Sequence, residues 1–300
     1  MRQVIITAAL TGAVHVPSMS PYLPITPEAI AEEAKAAYEA GAAVVHVHAR
    51  NPETGEPSSS NELMSDILER IRSKCDVIVC VTTGASQLMT TAERLLPVEV
   101  FKPELASCNA GTMNFVLSEI AEKIDDGFGW EKPYLIKTRD NVFKNTFDGL
   151  QHYIETMSEV GTKPEFEVYD VGMINNLAYF KQKGILKGPI YIQFVLGILG
   201  GMPATVENLV FLKQTADKLI GDYVWSVAGA GRAQFNMAMV AIALGGNVRV
   251  GLEDNLYIKR GVLAKSSAEQ VAAVRTIAEI SGHTIASVET ARAMLAIKNK

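Results

Sequence analysis

The stretch LTGAVHVPSMSPYLP, residues 10–24, decides the fold by what it lacks. It follows Val4–Ala9, an apolar, β-branched run that reads as a first strand. A doubly wound nucleotide-binding sheet would place a glycine-rich turn at this point, GxGxxG or GxxxxGK, to cradle a phosphate. Neither spacing occurs here. Parallel strands joined by helices then point to a closed (β/α)8 TIM barrel, an α/β fold.

The rest of the chain fits that expectation. Further strand candidates are Ala43–His48, Val77–Thr82, a less obvious one ending near Ser107, Glu165–Tyr169, Ile190–Leu196, Tyr223–Val227 and Asn247–Gly251. Helical patterns lie between them. Thr26-Pro27-Glu28 reads as an N-cap, a first-turn proline and a first-turn acid, and Gly41 ends that helix. Ser266 to Glu269 reads as a capping box before a long helix closed by Gly282. With no linker or composition shift, residues 1–300 are expected to form one barrel domain. The Asp-, Gly- and Lys-rich segment 121–145 exceeds an ordinary connection, and reads as a lid, an oligomer contact or a surface excursion.

Composition narrows the function. The chain is 48% apolar and 20% charged, as for a large core, and its net charge of -5 argues against a nucleic-acid partner. Cys75, Cys80 and Cys108 form no CxxC pair, so neither a disulfide framework nor a structural zinc knot is expected. The opening MRQVIITAALTGAVHV carries one arginine and a short β-branched run, and reads as a strand rather than a signal peptide. No window approaches the roughly 20 apolar residues of a membrane span. The expected setting is a reducing cytoplasm.

Chemistry concentrates at the strand ends, which in a barrel face the active site. In VVHVHAR, residues 44–50, period two puts His46 and His48 on one face and Val45 and Val47 on the other. Two imidazoles at a strand's C-terminal end can bind one divalent metal. In VRVGLEDN, Glu253 shares the inward parity of Arg249 and is the candidate third ligand. Spacing alone leaves open a solvated Glu253-Asp254 pair on a surface loop. Thr82, Ser107 and Asn109 follow other strands, and Glu167 needs a cationic or protonated neighbour if it points inward. Glycines in QFVLGILGG and WSVAGAGR suit either a closely approaching ligand or turns. An amidohydrolase would carry HxH on its first strand and histidines on middle strands, which this chain does not.

Taken in order, TAALTGA, PITPEAIAEEAKAAYEAGAAVVHVHAR, TTGAS, KPELASCNAGTMNF, PEFEVYDVGM, QFVLGILGGM, WSVAGAGR and RVGLEDN make the chain resemble the β-keto acid cleavage enzymes over essentially its whole length. The resemblance implies a zinc-dependent barrel, a homo-oligomeric dimer or tetramer, that converts a β-keto acid and acetyl-CoA into acetoacetate and a new acyl-CoA. It implies His46, His48 and Glu253 as zinc ligands, and Asp254 with Arg249 as an acid–base pair in which Arg249 keeps the Asp254 carboxyl low. It makes Glu167 an active-site carboxylate and places Thr82 and Ser107 at small-hydroxyl positions near the substrate. Gly200, Gly201, Gly229 and Arg232 are the expected contacts of acetyl-CoA. Members acting on an amino substrate carry a glutamate where this chain has Val14, so a distal ammonium is not expected. A CoA-independent aldolase or retro-Claisen lyase, and a non-catalytic barrel sensing a metal–acid complex, are the alternative readings.

Overall fold

Eight short strands close on themselves in sequence order, every neighbouring pair parallel. They are β1 (Ile6–Ala9), β2 (Val44–Val47), β3 (Ile78–Val81), β4 (Leu105–Asn109), β5 (Lys163–Val168), β6 (Ile190–Leu196), β7 (Tyr223–Gly229) and β8 (Asn247–Val250). Val248 opposite Ile6 and Val250 opposite Ala8 complete the ring. This computed structural model describes residues 1–85, 89–125 and 127–297. Ser86 of TTGAS and Asp126 of the 121–145 segment lie outside the described residues.

Helices α1 (Pro27–Ala40), α2 (Asn61–Lys74) and α3 (Thr91–Phe101) follow the first three strands. Between β4 and β5 come a short α4 (Glu131–Lys137) and the packing helix α5 (Phe147–Val160). Then α6 (Val171–Gln182), α7 (Val206–Leu219), α8 (Gln234–Ala243) and α9 (Ser267–Ile280) alternate with the remaining strands. The caps act as the sequence suggests, with variations. Thr26 accepts from the Ala29 N–H, and Gly41 takes φ +118° to end α1. Ser266 accepts from the Glu269 N–H, but the Glu269 carboxylate reaches the Lys265 N–H rather than closing the box on Ser266. No helix among the described residues is long and apolar enough to cross a membrane.

The pleat sorts side chains into two environments. Outward residues such as Val45, Val47, Phe166, Val168, Ile192 and Phe194 join the apolar layer under the helices. Inward residues change character along each strand. At the N-terminal end Ile5, Val44, Ile78, Leu105 and Tyr191 pack beneath α10 (Val288–Met294), which plugs the barrel floor. Further along, the same faces present His46, Thr82, Ser107, Glu167 and Arg249. Strand β4 runs to Asn109, beyond the Ser107 end expected. Its inward Ser107 and Asn109 serve the cavity, which weakens the apolar pattern that marks a strand.

The long β4–α5 connection begins before residue 121. Met113–Asn114 pairs antiparallel with Val142–Phe143, making a hairpin whose interior holds α4. Val16, Leu117, Ala121 and Leu135 form its own small core.

Candidate active site

His46 and His48 project from the C-terminal end of β2, with ring planes 73° apart and Nε2 atoms 3.1 Å apart. Glu253 Oε1 lies 3.7 Å from the first Nε2 and 3.5 Å from the second. All three residues are buried. Burial lowers His46 to about 3, so its imidazole is uncharged and has a lone pair to offer. The donor atoms lie within 4.8 Å of one another, and Glu253 Oε2 is buried without a hydrogen bond. Imidazole nitrogens beside an unsatisfied carboxylate are a donor set that fits a divalent metal.

Glu253 is set in place by two close backbone approaches. Gly251 packs so tightly that a Cβ would come 2.0 Å from the Ala9 carbonyl oxygen. The Glu253 N–H then donates to that same oxygen, tying the turn after β8 to the end of β1. Gly12, at φ +59°, passes the side chain so closely that a Cβ would lie 2.2 Å from Glu253 Cγ. Only glycine meets both demands.

Arg249 is the electrostatic hub. Nε and Nη2 donate to the two Asp254 oxygens at 2.8 Å each, a bidentate pair. Nη2 also reaches Glu253 Oε1 at 2.7 Å, while Nη1 donates to Glu167 Oε1 at 3.3 Å and Gln193 Oε1 at 3.2 Å. The Tyr169 hydroxyl donates to the other Glu167 oxygen. Burial works against the Arg249 charge, but Asp254 and Glu253 outweigh it and raise the group well above its ordinary value. The expectation that Arg249 holds Asp254 low is corrected. Burial dominates and raises the Asp254 carboxyl, with the guanidinium only opposing it. Glu167 is likewise raised, by burial against Arg249.

These groups line one cavity of about 440 Å³ with Thr82, Ser107 and Asn109. Thr82 Oγ1 accepts from the Gly84 N–H and Ser107 Oγ from the Thr83 N–H. Each hydroxyl therefore keeps its own proton to donate. Arg232 also lines the cavity and is exposed. Gly200, Gly201 and Gly229 are not among the lining residues. A Cβ on them would meet the backbone oxygens of Asn114, Tyr169 and Ala233, so their missing side chains serve chain packing.

The hairpin segment supplies the opposite wall. Phe115, Leu117, Ile120 and Tyr134 join Val14 there, each also part of or packed on the hairpin's core. Its attachment rests on residues to which the sequence reading assigned no role. Arg94, buried, donates to Thr83 O, Lys144 O and Asn145 Oδ1 and stacks on Phe143. Arg50 donates to Thr11, His15 and Gly55 and fixes the loop after β1. His15 lines the cavity, and its position just past a strand end was the available signal. Burial, aided by Arg50, lowers His15 to about 4 against the pull of its bond to Leu252.

A parallel barrel whose strand ends gather a metal-type donor set and an arginine-held carboxylate defines a barrel enzyme built for carbon acids. Residues 3–297 match the family described as beta-keto acid cleavage enzyme, and the chain belongs to it. It is 47% identical over 299 residues to the 3,5-dioxohexanoate:acetyl-CoA acetone transferase of Paraburkholderia graminis, covering 99% of this chain and 96% of that one. To the 3-keto-5-aminohexanoate cleavage enzyme of Fusobacterium nucleatum it is 39% identical, over 99% of both chains. The fold is shared with a ternary complex of ObcA with C4-CoA adduct and oxalate, at a TM-score of 0.75 and 21% identity, covering 92% of this chain and 68% of that one.

Proposed function

We propose that this protein is a zinc-dependent transferase that exchanges acyl groups between a β-keto acid and acetyl-CoA, giving acetoacetate and a new acyl-CoA. The observation that carries the reading is the bidentate Arg249–Asp254 pair beside His46, His48 and Glu253 in a single buried cavity. The relatives' named activities on keto acids and acetyl-CoA support it.

His46, His48 and Glu253 would hold the metal, which supplies Lewis-acid polarisation and so acidifies the C–H between the substrate's keto and carboxylate groups. Asp254 accepts that proton. Its raised affinity for protons suits a base, and Arg249 keeps it oriented and compensates the charge before transfer. The resulting C2 carbanion attacks the acetyl thioester carbonyl and expels the CoA thiolate. That thiolate adds to the original keto carbon, and the C2–C3 bond breaks. The new acyl-CoA forms, while C2 leaves as the acetoacetate carbanion and recovers a proton from Asp254. Thr82 and Ser107, each with a free hydroxyl proton, donate to the carbonyl oxygens as charge develops on them. Arg232 at the exposed side of the cavity is the cation available to CoA phosphates.

A homo-oligomer in the cytoplasm remains part of the proposal. Exposed Leu96, Val100, Phe147, Tyr179 and Phe211 on the outer helices support association of copies, checked by mass in solution.

Zinc-loaded protein tested on a panel of β-keto acids should release acetoacetate only when acetyl-CoA is present. Release without it would replace this reading with a CoA-independent lyase.

A further inference from the structure

The cavity has two walls of opposite character. One holds the charged groups of the reaction. The other is the apolar face of Val14, Phe115, Leu117 and Ile120, with His15 and Tyr134 as its polar atoms. The hydrogen bonding of those two residues is one-sided. His15 Nδ1 lies 2.7 Å from the Leu252 carbonyl oxygen. A carbonyl only accepts, so Nδ1 carries the proton and Nε2 is left as an acceptor. The hydrogen bond of the His15 ring is the one at Nδ1, so Nε2 keeps its lone pair for a ligand in the cavity that His15 lines. Tyr134 has already given its proton to the Ala13 carbonyl oxygen, 2.7 Å away. This wall therefore presents lone pairs and no free donor from either residue.

A fixed positive charge stands beside it. Arg50 is fully buried, and among the described residues its hydrogen bonds go to neutral oxygens of Thr11, His15 and Gly55 rather than to a carboxylate. Glu119, the carboxylate that the hairpin contributes to this cavity, is exposed.

We propose that His15 determines which β-keto acid is used, by accepting a hydrogen bond at Nε2 from an O–H at the substrate's distal end. The inference rests on the reaction proposed above and names the substrate class. A distal carboxylate would bring lone pairs against lone pairs. An ammonium would be desolvated next to Arg50. A plain alkyl end would fill the apolar wall but, by covering Nε2 from water, would leave that acceptor unpaired. A short chain ending in a hydroxyl, or in an enol O–H, satisfies both the apolar surface and the acceptor.

The test compares 5-hydroxy-3-oxohexanoate with 3-oxohexanoate in the presence of acetyl-CoA and zinc. Wild type should favour the hydroxy acid in kcat/KM by about 10- to 100-fold, as expected from leaving one acceptor unpaired in the complex with the other acid. His15→Leu should collapse that ratio to within about twofold, and His15→Gln, whose amide oxygen accepts, should restore part of it. A ratio that survives in His15→Leu, or an equal loss on both acids, overturns the assignment. Calorimetric binding of unreactive 5-hydroxyhexanoate and hexanoate separates this from the reaction itself. Tighter binding of the hydroxy acid, lost in His15→Leu, upholds His15 even if no keto acid turns over. Equal or undetectable binding of both acids overturns it even if turnover is found.

Discussion

In the proposed reaction Asp254 must be ionised to take a proton, yet it sits where ionisation is costly. Burial raises its carboxyl while both its oxygens accept from Arg249 at 2.8 Å. The balance yields a carboxylate that is held in one orientation and is more basic than one in water. A general base gains from that compromise, because its strength is then matched to a weak carbon acid. Asp254→Asn keeps the size and removes the base. It should lower kcat by about 10²- to 10⁴-fold, with zinc stoichiometry unchanged because the proposed ligands are His46, His48 and Glu253. Turnover near that of wild type would remove Asp254 from the mechanism. His46→Ala tests the neighbouring group. Two remaining donors hold zinc poorly, so metal content after dialysis and activity should fall together. Full metal occupancy in that variant would refute the ligand assignment.

At the level of elements, the site depends on a loop and a turn that meet without side chains between them. Gly12 stands at φ +59° with Glu253 Cγ in the space a Cβ would need, whereas Gly261 at φ +74° has nothing within 4 Å. The pair isolates proximity from backbone strain. Both alanine variants should lose about 1–2 kcal/mol of stability from the left-handed conformation. Only Gly12→Ala should also displace Glu253, seen as at least a tenfold weaker zinc affinity in a metal titration. Equal zinc binding by the two variants would show that the loop yields. This contact also marks what sequence could reveal. The eight strands were legible because β-branched runs recur between capped helices, and His46, His48 and Arg249 because parity along a strand assigns a face. The hairpin over the cavity was not. It is held by Arg94 reaching residues about fifty positions away and by a small core shared between Val16 and residues 117–135. No local pattern encodes such pairings. At Gly200, Gly201 and Gly229 a Cβ would meet backbone oxygens, and a glycine that admits backbone looks the same in sequence as one that admits a ligand.

Across the whole molecule the barrel interior runs from an apolar floor to a charged mouth, and the transition itself carries a cost. Glu165 lies one inward step before Glu167 on β5, fully buried, with Oε1 3.6 Å from Cys80 Sγ. Burial, opposed by the Arg249 charge, raises its carboxyl from 4.5 to about 7. A folded-state pKa above the unfolded one means that the native protein holds this proton more tightly. The associated stability is fully present below about pH 4.5 and is lost as pH climbs through about 7. The loss amounts to about 3 kcal/mol by pH 8, at roughly 1.4 kcal/mol for each pKa unit. Glu165→Gln, which stays neutral, should remove that dependence. In denaturant unfolding with a chelator present, the variant's stability relative to wild type should rise by roughly 2 kcal/mol between pH 5 and pH 8. Titrations elsewhere cancel in the difference, and the chelator keeps a metal charge from lowering the group. A difference that stays constant over this range would mean that Glu165 is already ionised inside the barrel, and that the Arg249 charge, rather than burial, governs this level of the interior.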